Sequence, residues 1–258
     1  MTHRYWLPLM FAAFGAVLAA RADSPTPTKP RAGAGSGSQL TIEEVRNRCK
    51  KLLEMQEAVF RETKSLDNDL QEAEDDKARN AVVQKSNDQC VDQNKIVIEC
   101  TKALDMLEEE GSTVAFPESF RLLRKDMMNV ETRLKSSDVG AMTQNIEEDI
   151  IEELKQMVED LWSLKRFGPA RPSDDIKGKL LGLRAELKRV RSMQIRVNNR
   201  TKMYHEAYPD EEQLKPENAK DPKVKAKLEQ IQKELEELSN KEATIQRIIR
   251  EIVQRRSK

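Results

Sequence analysis

The stretch VKAKLEQIQKELEELSNKEATIQRIIREI, residues 224–252, places an apolar residue at eight of nine successive heptad positions. These are Val224, Leu228, Ile231, Leu235, Leu238, Ile245, Ile249 and Ile252, and only Glu242 departs. Steps of three and four residues keep one narrow stripe on one side of a helix, with Lys, Glu and Arg filling the positions between. So narrow a stripe needs a partner helix, and the pattern predicts a coiled-coil strand.

A partner lies immediately upstream. Residues 173–207 read as a helix with the seam Ile176, Leu180, Leu183, Leu187, Val190, Gln194, Val197, Thr201 and Tyr204. Pro209, Pro216 and Pro222 bound a polar connector; Asp221 is placed as an N-cap and Pro222 suits a first helical position. Two helices of similar length around such a connector predict an antiparallel hairpin. Further upstream, Pro117 opens a helix with the seam Phe120, Leu123, Met127, Val130 and Leu134, broken over residues 136–140. The next helix, 143–166, uses Ile150, Leu154, Met157, Leu161 and Leu164.

The first helical segment spans residues 41–110. It opens on Thr41-Ile42-Glu43-Glu44, which has the form of a capping box. Its seam begins Ile42, Val45, Cys49, Leu52, Val59, Leu66, Leu70 and Ala73. Over 77–95 that seam carries Asn80, Gln84, Asn87 and Asn94, and the apolar stripe resumes one position out of phase at Cys90, Val97 and Leu104. A stutter, a bend and a break all fit this change of phase. The fold class predicted is therefore all-α: elongated antiparallel coiled-coil hairpins of about five helices. The segments are a signal peptide (1–22), a flexible linker (23–40), a long helical segment (41–110), a helical pair (117–166) and a coiled-coil hairpin (173–258).

Composition agrees with narrow seams. Charged residues make up 35% of the 258 and aromatics 4%, which suits thin helical contacts better than a thick core. Periodic apolar residues set the chain apart from a disordered one of similar polarity. Basic and acidic residues balance at 45 each, so bulk attraction to an anionic polymer is not implied. The leader has a basic start (His3, Arg4), an apolar run from Trp6 to Ala20 and an Ala20-Arg21-Ala22 cleavage pattern. The run is short for a membrane span, which needs about 20 residues. The expected location is the periplasm or the exterior, as a soluble protein after cleavage.

Charge is unevenly placed. Residues 147–160 hold seven acids and one base, Lys155. Residues 177–202 hold nine bases (Lys177, Lys179, Arg184, Lys188, Arg189, Arg191, Arg196, Arg200 and Lys202) and one acid, Glu186. These bases are candidate contacts either for an anionic partner or for the acidic helix beside them. Because the acidic helix directly precedes the basic one, interhelix pairing is the favoured reading, and such pairing sets orientation more than stability. Nucleic acid is not expected as a partner, since export removes the usual substrate and no aromatic interleaves the bases before Tyr204.

The residues for catalysis are sparse. Beyond the leader the only histidine is His205, so no His-based metal cluster forms within one chain, and no phosphate-binding glycine loop or nucleophile elbow occurs. No cofactor is expected. Cys49, Cys90 and Cys100 are candidates for a disulfide or for free thiols. On one continuous helix Cys90 and Cys100 would lie about 15 Å apart along the axis, beyond the roughly 7 Å limit for bridged Cα atoms. A bend would bring Cys49 toward Cys90 or Cys100, and an odd count leaves one thiol over.

Three stretches, GSTVAFPESF (111–120), DVGAMTQNIEEDIIEEL (138–154) and LKRVRSMQIRVNNRT (187–201), resemble an uncharacterised family of predicted exported, helical coiled-coil proteins of planctomycete-type bacteria. The resemblance covers residues 41–258 and carries no known chemistry. The expected function is that of a non-enzymatic exported scaffold or adaptor of the cell envelope. It would act through helix–helix association with protein partners or with itself as a homo-oligomer. The alternatives are a periplasmic holdase-like chaperone and a binder of an anionic envelope polymer or lipid surface through 177–202.

Overall fold

Six α-helices account for most of the described residues: α1 (Ala34–Glu72), α2 (Asp76–Glu110), α3 (Ala115–Lys135), α4 (Ala141–Phe167), α5 (Asp175–Ala207) and α6 (Pro222–Arg256), with a 3-10 turn at Pro216–Asn218. The computed structural model describes the backbone of residues 34–110, 114–167, 175–209 and 214–256, and side chains within these except at 34–41, 110, 164–181, 223 and 256. The expected leader, the linker up to residue 33, the connector 168–174 and the side chains of Lys177 and Lys179 lie outside the described residues.

The expected 41–110 segment is two helices. α1 ends at Glu72 and α2 begins at Asp76. Asp75 caps α2: its Oδ1 accepts the Ala78 N–H at 2.7 Å, satisfying one of the amides a helix start leaves unpaired. The break precedes the polar stretch instead of falling within it. Asn80, Gln84, Asn87 and Asn94 all face solvent on α2, while Val82, Ser86, Gln93, Ile96 and Cys100 are buried. The change of phase thus records a reversal of direction between two helices. At the other end, α1 starts at Ala34, so Thr41 lies inside a helix and not at its cap; once a helix is nucleated, extension adds one hydrogen bond per residue fixed.

α1 to α4 close into an up–down–up–down bundle. α1 meets α2 through Gln56 and Gln93, and meets α4 through Gln144 Nε2 donating to Asp67 Oδ2 at 2.8 Å. α2 meets α3 where the Ser86 hydroxyl donates to the Leu134 carbonyl at 2.7 Å, and α3 meets α4 where Ser119 donates to Glu153 Oε1 at 2.6 Å. Leu52, Ile96, Phe120, Leu123, Met127, Ile150, Leu154 and Met157 share one core at the centre. The seams expected to zip helices in pairs are pooled among four, which is how a bundle buries stripes wider than two positions per heptad. Gln56 and Gln93 sit in this core fully buried and exchange reciprocal amide bonds at 3.1 Å. Gln56→Leu alone is expected to cost about 1–3 kcal/mol, because it strands the Gln93 side-chain oxygen, and Gln56→Leu with Gln93→Leu to recover most of that. Urea unfolding of the three proteins checks it.

α3 hands over to α4 through a turn in which Asp138 N–H donates to Arg133 O and Ser137 N–H to Leu134 O, both at 2.9 Å. Ser137 has φ 56°, the left-handed position of a Schellman cap usually held by glycine.

The α5–α6 hairpin docks against α3 and α4. Val190, Met193 and Val197 of α5 pack with Ile245, Ile248 and Ile252 of α6 and Leu122 of α3. Nearer the connector, Tyr204 packs with Leu228, Ile231 and Leu238. Here the expected seams are corrected. On α5, Leu187 and Thr201 are exposed. On α6, Val224 and Ile249 are exposed and Leu235 and Glu242 only partly covered, while Glu234, Lys241 and Ile248 are buried. Leu228, Ile231, Leu238, Ile245 and Ile252 are buried as expected; only the alternate positions of the α6 stripe move by one residue, because it faces α3 as well as α5 and α3 offers charged partners there.

Candidate functional site

Charge is concentrated inside the molecule, where α3, α4, α5 and α6 meet. On α4, Asp149, Glu153 and Asp160 are spaced by four and then seven residues; on α5, Arg189, Arg196 and Arg200 are spaced by seven and then four. Both spacings keep three side chains on one helix face. In an antiparallel pair, one pattern is the mirror of the other. The ladder closes accordingly: Arg189 Nη2 lies 2.5 Å from Asp160 Oδ2 and its Nη1 3.1 Å from Glu153 Oε1, while Arg200 Nη2 donates to Asp149 Oδ2 at 2.6 Å. Arg196 stands between them, its Nε 3.6 Å from Glu153 Oε2. Ser119 and Ser192 donate to the two oxygens of Glu153. The Arg189 guanidinium also lies 6.0 Å from the centre of the Phe116 ring, within cation–π range.

Asp126 of α3 is the hub. Arg200 Nη1 donates to its Oδ1 at 2.6 Å, Lys241 of α6 donates to the same oxygen, and Arg196 Nη1 lies 3.6 Å from Oδ2. Leu122, Met193, Val197 and Leu238 line the space beside this cluster. Burial by itself would raise the Asp126 carboxyl, but Arg200, Lys241 and Arg196 together outweigh it and hold the group far below the usual carboxylate range. Glu153 follows the same logic, lowered by Arg196 and Arg189 against its burial. Burial works the other way on Lys241 and lowers it despite Asp126.

A second knot lies one stretch away along α3. Arg133, 2% exposed, donates to Glu234 Oε2 of α6 at 2.6 Å and to Asp138 Oδ2 at 2.7 Å. The Tyr204 hydroxyl donates to the same Glu234 oxygen. Burial and then Glu234 push the Tyr204 hydroxyl up, so it stays a donor.

The sequence-predicted bases separate into three groups. Arg189, Arg196 and Arg200 point inward to the carboxylates of α3 and α4. Lys188 reaches Asp160 Oδ1 at 2.8 Å with its side chain half exposed, and Lys202 pairs with Glu206, both largely exposed. Arg184 and Arg191 face solvent. Sequence reasoning missed Asp126, Arg133, Glu234 and Lys241. Their signal was faint: two charged residues, seven apart, on the buried face of each of two otherwise largely apolar helix stripes. Cys49 and Cys100 are buried and Cys90 is partly covered. His205 is exposed in the last turn of α5.

The arrangement can fix helices in register and orientation. Each acid in it is matched by a buried base. Among the described residues no group of three or more His, Cys, Asp or Glu side chains is placed to hold a metal ion, and no helix is long and apolar enough to cross a membrane. Comparison with family models, curated proteins and solved structures returns no match.

Proposed function

We propose that the protein is a non-enzymatic, exported scaffold or adaptor of the cell envelope that works by helix–helix association. The observation that carries this reading is an uncovered stripe on α2. Val83, Val91 and Ile98 are 41%, 58% and 50% exposed, and with Asn87 and Asn94 they fall within about 80° of helix circumference at 3.6 residues per turn. Asn among apolar residues at such positions sets register at the expense of strength. Behind the stripe, the bundle core and the bonds from Gln93 to Gln56 and from Ser86 to the Leu134 carbonyl hold α2 in place, so a partner would meet a preformed surface. Membership of the exported helical family belongs to this same proposal.

The test is crosslinking in the native envelope followed by identification of what is captured, for the parent chain and for Val91→Glu with Ile98→Glu. Capture of one protein or of the chain itself, abolished by the two substitutions while helicity is retained, is the expected result. Capture of many unfolded clients would replace the reading with a holdase, and capture of nothing would end it. A second reading, binding to an anionic envelope surface, is favoured by Arg184 and Arg191 facing solvent beside the exposed Lys188 and Lys202. It predicts salt-sensitive binding to anionic vesicles that Arg184→Glu with Arg191→Glu removes.

A further inference from the structure

The register of the first hairpin says which cysteines meet. Gln56 of α1 and Gln93 of α2 face each other through their reciprocal amide bonds. Seven residues is two helical turns. Two turns back along α1 from Gln56 is Cys49; two turns forward along the antiparallel α2 from Gln93 is Cys100. The residues just before them, Arg48 and Glu99, are joined by an ion pair of 2.5 Å. Cys49 and Cys100 therefore share a layer, both at 0% exposure and both in the same core cluster. Cys90 lies elsewhere: three residues before Gln93, it shares a layer with Val59, three after Gln56.

We infer that Cys49 and Cys100 form an intramolecular disulfide that staples α1 to α2 at the end of the hairpin opposite the 73–75 turn, leaving Cys90 as the unpaired thiol. Facing small residues on neighbouring helices let their Cα atoms approach the roughly 7 Å that a disulfide needs. The chemistry is exchange with an external small-molecule disulfide. One cysteine thiolate attacks it, forming a mixed disulfide and releasing one thiol. The other cysteine thiolate then displaces the second thiol as the Cys49–Cys100 bond closes. The two cysteine sulfurs are together oxidised by two electrons, the external disulfide is reduced by two, and the two cysteine protons end on the released thiols. Burial pushes both thiols up, and Cys49 is raised further by Cys100 beside it. The closed hairpin thus protects them, and oxidation proceeds through opening of its free end.

The full chain is equilibrated with oxidised glutathione in low urea to speed that opening, free thiols are alkylated, and peptides are mapped by mass spectrometry. The expected result is a Cys49–Cys100 linked peptide with Cys90 alkylated, formed equally in Cys90→Ser. A higher urea midpoint for the oxidised protein, reversed by dithiothreitol, accompanies it. A linked peptide containing Cys90, a bridge between two chains, or full alkylation of Cys49 and Cys100 after equilibration would overturn the assignment.

Discussion

Asp126→Asn is expected to cost about 3–5 kcal/mol of folding stability, read from urea unfolding near pH 7, because it removes the one anion that Arg196, Arg200 and Lys241 share. Breaking a buried ion pair by deleting one partner leaves the others charged and dry, so the loss exceeds what the pair contributed. Asn keeps the size of Asp, so packing is unchanged and the loss is electrostatic. The control is Lys202→Ala. Its exposed pairing with Glu206 predicts a change within about 0.5 kcal/mol. The same hub sets a pH dependence. Asp126 is held below its unfolded value by Arg200, Lys241 and Arg196 against its burial. The folded protein therefore resists protonation, and the stabilisation is present above the unfolded carboxylate pKa and drains away as pH falls below it. Acid unfolding should accordingly be steeper in the parent chain than in Asp126→Asn. Equal slopes would mean that the hub carries no charge linkage.

The second large effect runs in the opposite sense of pH. Glu147 of α4 is fully buried against α1, and its Oε2 has no hydrogen-bond partner. The Thr63 hydroxyl lies 3.0 Å from both the Val59 carbonyl and Glu147 Oε1. A hydroxyl has one proton. Shared between the Val59 carbonyl and Glu147 Oε1, that one proton gives an ionised Glu147 little compensation for its burial. Burial, opposed by Thr63 and helped by the neighbouring Glu148, raises the carboxyl from 4.5 to about 8; Lys64, the nearby cation, is itself engaged with Glu148 at 3.4 Å. A raised carboxyl pKa means that the folded state holds the proton more tightly. Its contribution is full below about pH 4.5 and is lost as pH rises to about 8. Glu147→Gln, which is neutral at any pH and keeps an oxygen to accept from Thr63, is expected to match the parent near pH 4.5. By pH 9 it should exceed the parent by up to roughly 5 kcal/mol, since each tenfold change in proton affinity is worth about 1.4 kcal/mol. Parallel stability curves for the two proteins over that range would refute a neutral Glu147.

Several elements were legible in the residues. The stripe Phe120, Leu123, Met127, Val130 and Leu134 is buried along its whole length, because that face of α3 is covered by its neighbours. Pro117 sits in the first turn of α3 and Pro222 opens α6, as the missing amide of proline requires. The acidic run and the basic run are brought together at Asp160–Arg189 and Asp149–Arg200. Their mirrored spacings were readable, but which bases turn inward was not, since spacing fixes a face and says nothing of what covers it. The change of phase was placed over 77–95 and not at the 73–75 turn because Asp75 and Asp76 read equally well as part of an acidic helical surface; only the capping bond to Ala78 distinguishes them.

What the sequence determined by itself is local: where helices form, where proline and aspartate start them, and which side of each is apolar, because hydrogen bonding and side-chain period act within a few residues. What only the tertiary structure decided is which stripe meets which. α6 shows the difference most plainly. Its heptads correctly bury Leu228, Ile231, Leu238, Ile245 and Ile252, but at the alternate positions Glu234, Lys241 and Ile248 are buried in place of Leu235, Glu242 and Ile249. Arg133 and Asp126, about a hundred residues away on α3, supply the opposite charges that make burial of Glu234 and Lys241 tolerable. That complementarity exists only once the helices are packed.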